Sequence, residues 1–200
     1  MAEMAWTGLP KLDILILGEY YKKDYLSSCT DIKGIEALAQ QLNIPLISLN
    51  DVQSLDLTID GADEIDSNLQ LIKGGGGALL REKIVASSSK ELIIIADESK
   101  LVTHLGNFPL PVEIIPFSWK QTENKIQSLG CQTTLRLKNN ETYITDNNNM
   151  IIDCIFSNHI SNPAHLHTQL KMITGVVETG LFISMTSKAI ICTKNGIKEL

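Results

Sequence analysis

The sequence predicts an α/β layered fold, and three observations carry that expectation. Leu92-Ile93-Ile94-Ile95-Ala96 is a continuous, β-branched apolar run, the pattern of a parallel strand covered on both faces. Leu55-Asp56-Leu57-Thr58-Ile59 reads as an earlier strand, and residues 78–86 between the two have helical character. Residues 34–42 form a further predicted helix, with Ile35, Leu38, Ala39 and Leu42 at helical spacing. Strands alternating with helices in this way specify a layered sheet.

The remaining elements follow in order. Leu46-Ile47-Ser48-Leu49 is read as a short buried strand. The texture changes after Leu101. Residues 108–116 hold Pro109, Pro111 and Pro116, which suits an extended crossing segment. A helix over 118–129 is expected next, closing at Gly130. Thr133-Thr134-Leu135-Arg136-Leu137 and Met150-Ile151-Ile152-Asp153-Cys154-Ile155 read as strands flanking the turn Asp146-Asn147-Asn148-Asn149. Pro163 opens a helix reaching Met172, and residues 176–182 read as another strand. This β-rich block, 108–185, is the expected second domain. Ala189-Ile190-Ile191-Cys192-Thr193 is expected to return to the first sheet, so the first domain is 1–107 plus 186–200.

Composition excludes several function classes. The 200 residues are 44% hydrophobic and 20% charged, ordinary for a globular chain with its own core. The net charge is −6, from 23 acidic and 17 basic residues, and no Lys/Arg cluster offers a face for nucleic acid. Cys29, Cys131, Cys154 and Cys192 form no CxxC pair and are expected to be free thiols in a reducing cytoplasm. No apolar run approaches the roughly 20 residues that span a bilayer, and the N-terminus lacks the signature of a signal peptide. The expected location is therefore cytoplasmic, with no membrane partner. His104, His159, His165 and His167 have no partner at a metal-ligand spacing, so no metal is expected.

The chemistry concentrates between Asp60 and Lys100. Asp60-Gly61-Ala62-Asp63-Glu64 directly follows a strand, which puts Asp60 and Asp63 at the carboxyl edge of the sheet, where open α/β folds bind ligands. Gly61 and Ala62 leave little bulk between the acids; a helix-capping turn is the alternative. Lys73-Gly74-Gly75-Gly76-Gly77 brings backbone N–H groups to a helix N-terminus, a place that favours anions. Its apolar flanks speak against a flexible linker. It is neither a Walker A loop nor a dinucleotide fingerprint, since no Lys-Ser/Thr pair follows and Leu79 or Leu80 stands where a third glycine belongs. Glu82 lies in the first turns of that helix, and Lys100 follows the apolar strand; alone, each reads as solvated charge. Together, acids, a lysine beside a glycine loop and no cofactor motif fit proton transfer next to a carbonyl. A carboxylate base removes the C–H proton, while a cation and N–H donors hold the oxyanion.

Five segments carry a family likeness: Asp60-Gly61-Ala62-Asp63-Glu64-Ile65-Asp66, Leu71-Ile72-Lys73-Gly74-Gly75-Gly76-Gly77-Ala78, Arg81-Glu82-Lys83-Ile84-Val85-Ala86, Asp97-Glu98-Ser99-Lys100 and Phe108-Pro109-Leu110-Pro111-Val112-Glu113. In wording, order and spacing the chain resembles the type A ribose-5-phosphate isomerases from about residue 26 to its end, including Gly175-Val176-Val177-Glu178-Thr179-Gly180-Leu181-Phe182. The resemblance implies a Rossmann-like layered domain with a smaller inserted α+β (ferredoxin-like) domain. It implies assembly as homodimers or homotetramers and no metal or cofactor. It implies interconversion of D-ribose 5-phosphate and D-ribulose 5-phosphate in the non-oxidative pentose phosphate pathway. By resemblance Glu82 is the carbon base, Asp60 assists ring opening and oxygen protons, and Lys73 stabilises the enediolate. Asp63 holds hydroxyls, Gly61, Ala62, Gly74, Gly75 and Gly76 line the sugar, and Lys100 contacts the phosphate.

The sequence departs from the family near its start. Members carry a helix and a strand, then a Gly-Thr-Gly-Ser-Thr phosphate loop; here only Thr7-Gly8-Leu9-Pro10 stands near that place, before Leu12-Asp13-Ile14-Leu15-Ile16-Leu17-Gly18. The expectation is a first domain without its first strand or phosphate loop, in a copy truncated or altered at the N-terminus. An active isomerase is the main reading. A relative that binds or senses sugar phosphate without turnover is the alternative.

Overall fold

The computed structural model describes residues 2–7, 26–30, 41 and 46–200. The helix expected over 34–42 falls outside them but for Gln41, as do residues 8–25, which include Gly8, Leu9 and Pro10. In chain order the described elements are β1 (Ala2–Thr7), β2 (Leu26–Thr30), β3 (Leu55–Asp60), β4 (Glu64–Ile65), β5 (Leu71–Ile72), α1 (Leu79–Ser87), β6 (Ser89–Asp97), β7 (Leu110–Ile114), α2 (Trp119–Gln127), β8 (Cys131–Leu135), β9 (Leu137–Lys138), β10 (Glu141–Thr142), β11 (Met150–Phe156), α3 (Pro163–Lys171), β12 (Val176–Thr179), β13 (Leu181–Phe182), β14 (Lys188–Thr193) and β15 (Gly196–Glu199). They fall into two compact units. The first holds Met1–Gly61, Arg81–Ala96 and Met185–Leu200; the second holds Ala62–Leu80 and Asp97–Ser184. The division expected at residue 108 thus differs, because β4 pairs with β5, and β5 with β13, rather than with the large sheet.

The first unit is built on a six-stranded sheet of order β15-β14-β6-β3-β1-β2. β3 pairs in parallel with β6, and β1 pairs in parallel with both β3 and β2. Ala2–Thr7 occupies the place between β2 and β3, a segment in which the sequence offered no strand. Backbone pairing explains how, since an unfilled slot would leave two rows of N–H and C=O groups open, and any extended segment can close them. β14 returns to the sheet beside β6, as expected from its apolar run, and turns back antiparallel into β15. Leu92 and Ile94 are buried on one face of β6, while Ile95 on the other is exposed. Leu46 makes only an isolated bridge, and the strand expected over 46–49 gives way to a 3-10 turn, Leu49–Asp51, whose Asn50 N–H donates to Ser48 Oγ at 3.2 Å. That local hydrogen bond competes with strand pairing.

The second unit carries an antiparallel sheet of order β12-β7-β11-β8, with α2 against β8 and α3 against β12. Its core includes Val112, Ile114, Ile126, Ile152, Leu166 and Leu170. The proline-rich segment, expected to cross as an extended connector, is the inner strand β7. Pro111 is tolerated because it lies outside the stretch paired to β12, and its carbonyl accepts the Gly180 N–H at 2.7 Å. The single strand expected over 176–182 is two strands in different sheets, broken at Gly180. Likewise β8 stops at Leu135, and a β9–β10 hairpin precedes the Asp146–Asn149 turn, in which Asn148 has φ 60°. The small sheet β13-β5-β4 carries the glycine loop.

A buried carboxylate pins the chain that leads into β7. Glu64 is 3% exposed, and its two oxygens accept the N–H groups of Gly106 at 2.7 Å and Phe108 at 2.6 Å. Glu64→Gln replaces an acceptor with a donor facing a backbone donor, which leaves a buried group unsatisfied. The expected loss is about 1–3 kcal/mol, read as a fall in Tm of roughly 2–4 °C per kcal/mol by thermal denaturation. An unchanged Tm would refute the structural importance of this contact.

Candidate functional site

In the first unit, Asp60 is the last residue of β3, is fully buried, and accepts the Gly61 N–H on Oδ1 at 2.7 Å. Glu82 lies in the first turn of α1 and is only 4% exposed. Solvated helix charge, the bland reading of Glu82, does not describe it. Val85, one turn along the same helix face, packs on Leu55 at the start of β3. The helix therefore runs back along the parallel β3–β6 pair, and its N-terminal turn lies toward the end of the sheet where Asp60 sits. A carboxylate in the first turn is also favoured by the helix dipole.

In the second unit the glycine loop is a defined structure. The Gly77 N–H donates to Gly74 O at 3.0 Å, and both residues have positive φ, 94° and 96°, a region open to glycine. The Gly75 N–H donates to Asp63 Oδ2 at 2.8 Å, so Asp63 braces the loop directly. Lys73 is 3% exposed, its ammonium lies 5.4 Å from the Phe182 ring centre, and its N–H donates to Gly180 O at 2.9 Å. This cation–π contact offers partial compensation for a buried ammonium. Gly76 faces open space. Lys100 is half-buried in the 3-10 turn Glu98–Lys100, capped by Asp97 Oδ1 accepting from Ser99 N–H at 2.9 Å. Hydrogen bonds from Ser99, with the Lys100 charge adding to them, hold Asp97 below the usual carboxylate range. Among the described residues Lys100 makes no hydrogen bond to Asp63 or the glycine loop.

The structure thus unites Asp63 with Gly75, sets Lys73 at the start of the same loop, and puts Asp60 and Glu82 toward one end of the first sheet. Ala62 connects Gly61 to Asp63 and is half-buried. Sequence reasoning missed three supports. Arg136 and Tyr143 reach the glycine carbonyls, and Glu64 anchors the strand after Asp63. Only Glu64 carried a signal, through its place in the acidic motif. Among the described residues no group of three or more His, Cys, Asp or Glu could hold a metal ion. Cys131, Cys154 and Cys192 are free thiols.

The model of ribose 5-phosphate isomerase A (phosphoriboisomerase A) matches residues 32–196. The chain belongs to this family. The ribose-5-phosphate isomerase A of Bacillus cereus is 94% identical over 168 residues, which are 84% of this chain and 76% of that protein. The ribose 5-phosphate isomerase from Plasmodium falciparum superposes with a TM-score of 0.94 at 38% identity, covering 100% of this chain and 90% of that one. A further D-ribose-5-phosphate isomerase, solved in complex with phospho-erythronic acid, superposes with a TM-score of 0.92 at 35% identity, covering 100% and 91%. The predicted α/β class, Rossmann-like with an inserted domain, is the architecture of these ribose 5-phosphate isomerase A structures.

Proposed function

We infer that the chain is an aldose–ketose isomerase that interconverts D-ribose 5-phosphate and D-ribulose 5-phosphate through an enediolate, in the non-oxidative branch of the pentose phosphate pathway. The observation that carries this reading is Glu82, a carboxylate 4% exposed in the first turn of a helix that follows the glycine loop. Water-poor surroundings suit a base that must hold one proton between two adjacent carbons.

In the aldose-to-ketose direction Glu82 takes the proton from C2, the O1 oxygen gains a proton, and the electron pair becomes the enediol double bond. Glu82 then returns its proton to C1, and O2 gives up its own. Asp60 serves the proton movements on oxygen and ring opening. The Lys73 ammonium offsets the developing oxyanion charge. Asp63 has Oδ2 committed to Gly75, which leaves Oδ1 for a sugar hydroxyl. Gly61, Ala62, Gly74, Gly75 and Gly76 line the sugar, and Lys100 meets the phosphate. No metal or cofactor enters these steps. The phospho-erythronic acid complex of a family member supports a phosphorylated, hydroxyl-rich ligand.

The protein acts in the cytoplasm as a homodimer or homotetramer. Free thiols at Cys131, Cys154 and Cys192 agree with a reducing compartment, and exposed Phe117 and Met172 offer apolar surface for self-association. No helix among the described residues is long and apolar enough to cross a membrane. The test is ribulose 5-phosphate formation by the purified chain given ribose 5-phosphate. Turnover is expected; a folded, soluble chain that binds the sugar phosphate without converting it would establish the sensing alternative instead.

A further inference from the structure

The second unit contains a device aimed at the glycine loop that the reaction scheme does not use. Arg136 stands between β8 and β9, its N–H bonded to Ile151 O at 2.9 Å and its carbonyl to the Tyr143 N–H at 2.9 Å. Its guanidinium forks. Nε donates to Asp153 Oδ2 at 2.9 Å, and Nη2 donates to Asp153 Oδ1. Nη1 points the other way and donates to both Gly74 O at 2.9 Å and Gly75 O at 3.1 Å. The two side chains are 14% and 21% exposed, so solvent competes weakly for these bonds. Tyr143 adds a longer contact, its hydroxyl 3.4 Å from Gly76 O.

Peptide planarity turns these carbonyl contacts into a statement about N–H groups. The peptides are trans, so each N–H points opposite the carbonyl before it. Pinning Gly74 O aims the Gly75 N–H, which meets Asp63 Oδ2 at 2.8 Å. Pinning Gly75 O aims the Gly76 N–H away from Arg136, on a residue with open space around it. Consecutive glycines have the largest conformational freedom of any backbone, so a loop of them presents one set of donors only if something outside fixes it. Arginine suits this task because its planar fork is rigid, whereas a lysine at the same place has a single flexible ammonium.

We propose that Arg136, oriented by Asp153, is a positioning residue of the catalytic site: it locks the Gly74 and Gly75 carbonyls so that the loop N–H groups and Asp63 meet the sugar in one arrangement. This rests on the isomerase reading above. Arg136→Ala, Arg136→Lys and Asp153→Asn are to be compared with wild type by kcat, KM, Tm and amide hydrogen exchange at Gly75–Gly77. In Arg136→Ala, kcat is expected to fall by about 10²-fold, the cost of a misplaced first contact, which far exceeds any fall in folded fraction at the assay temperature. Millimolar guanidinium should restore part of that loss, and should restore nothing in Glu82→Gln. Arg136→Lys should recover less than a third of wild-type kcat, and Asp153→Asn should lower kcat by roughly tenfold. Exchange at the Gly75 amide should rise at least about tenfold in Arg136→Ala. Unchanged exchange overturns the proposal whether or not the wild type is active. If the wild type turns over, a kcat within twofold in Arg136→Ala overturns it too, as does a loss that follows Tm and ignores guanidinium. Wild-type inactivity with faster exchange in Arg136→Ala counts against the isomerase reading and leaves the loop assignment standing. Should Arg136→Ala not fold, Asp153→Asn with normal kcat and normal exchange overturns it.

Discussion

Glu82→Gln is expected to reduce kcat by roughly 10³-fold or more while Tm stays within a few degrees of wild type. A positioned general base contributes about 10²–10⁴-fold, and here the same group serves both proton transfers to carbon, which favours the upper part of that range. Glutamine preserves size and hydrogen-bonding shape but cannot take a proton from carbon. The buried setting, 4% exposed, leaves no room for bulk water to substitute as base. Initial rates of ribulose 5-phosphate formation, measured beside thermal melts, decide the matter. Turnover surviving the substitution would move the base to another acid, Asp60 being the first to test. A collapse of Tm would instead make Glu82 a structural group, and Glu82→Asp would then separate the two roles, because it keeps the charge and shortens the reach.

Gly180→Ala is expected to combine a stability loss with a loss of activity. A Cβ at this position collides with Lys73 O and comes within 2.7 Å of Pro111 Cδ. Neither neighbour is the free end of a flexible side chain. The Gly180 N–H already donates to Pro111 O at 2.7 Å, and Gly180 O accepts the Lys73 N–H at 2.9 Å, so the residue is fastened on both sides. Forcing a methyl group in must push Lys73 or β7 aside. Overpacking of this kind costs about 1–3 kcal/mol, and a shift of even 1 Å in Lys73 costs on the order of 10²-fold in rate. The expected record is a lower Tm together with a fall in kcat that exceeds the fall in folded fraction at the assay temperature. Activity that stays proportional to folded protein would show that Lys73 keeps its place and that only packing suffers.

Much of the fold was legible from local pattern. The β3, α1 and β6 segments show the continuous and periodic apolar runs that only a layered sheet satisfies, and β14 was placed back in that sheet by the same signal. Where reading failed, the competing term was non-local or short-range polar. Ser48 draws Asn50 into a turn where apolar residues suggested a strand. Gly180 splits an apparently continuous run because Lys73 and Pro111 close over it. Pro111 sits in an inner strand because it lies outside the stretch paired to β12, where its carbonyl is used, by the Gly180 N–H, and no N–H is required of it. The Asp146–Asn149 turn is legible in its residues, but its purpose in packing is not: Asn147 and Asn149 donate to the fully buried Glu113, with Thr145 beside them.

By itself the sequence determined the chemistry available: which acids, which lysine and which glycines stand between Asp60 and Lys100, and in what order. Those are covalent facts, and spacing along a strand or helix converts them directly into faces and ends. Only the tertiary structure decided what each group experiences. Glu82 looks like surface charge beside Arg81 and Lys83 until burial of its helix face shuts it from water. Arg136 is an ordinary charged residue at the end of β8 until pairing of β8 with β11 sets it on Asp153 and against a loop about sixty positions away in the chain. Burial and long-range pairing depend on contacts whose sequence separation no local pattern records, and that is why the base and the brace of this site emerge only in the folded chain.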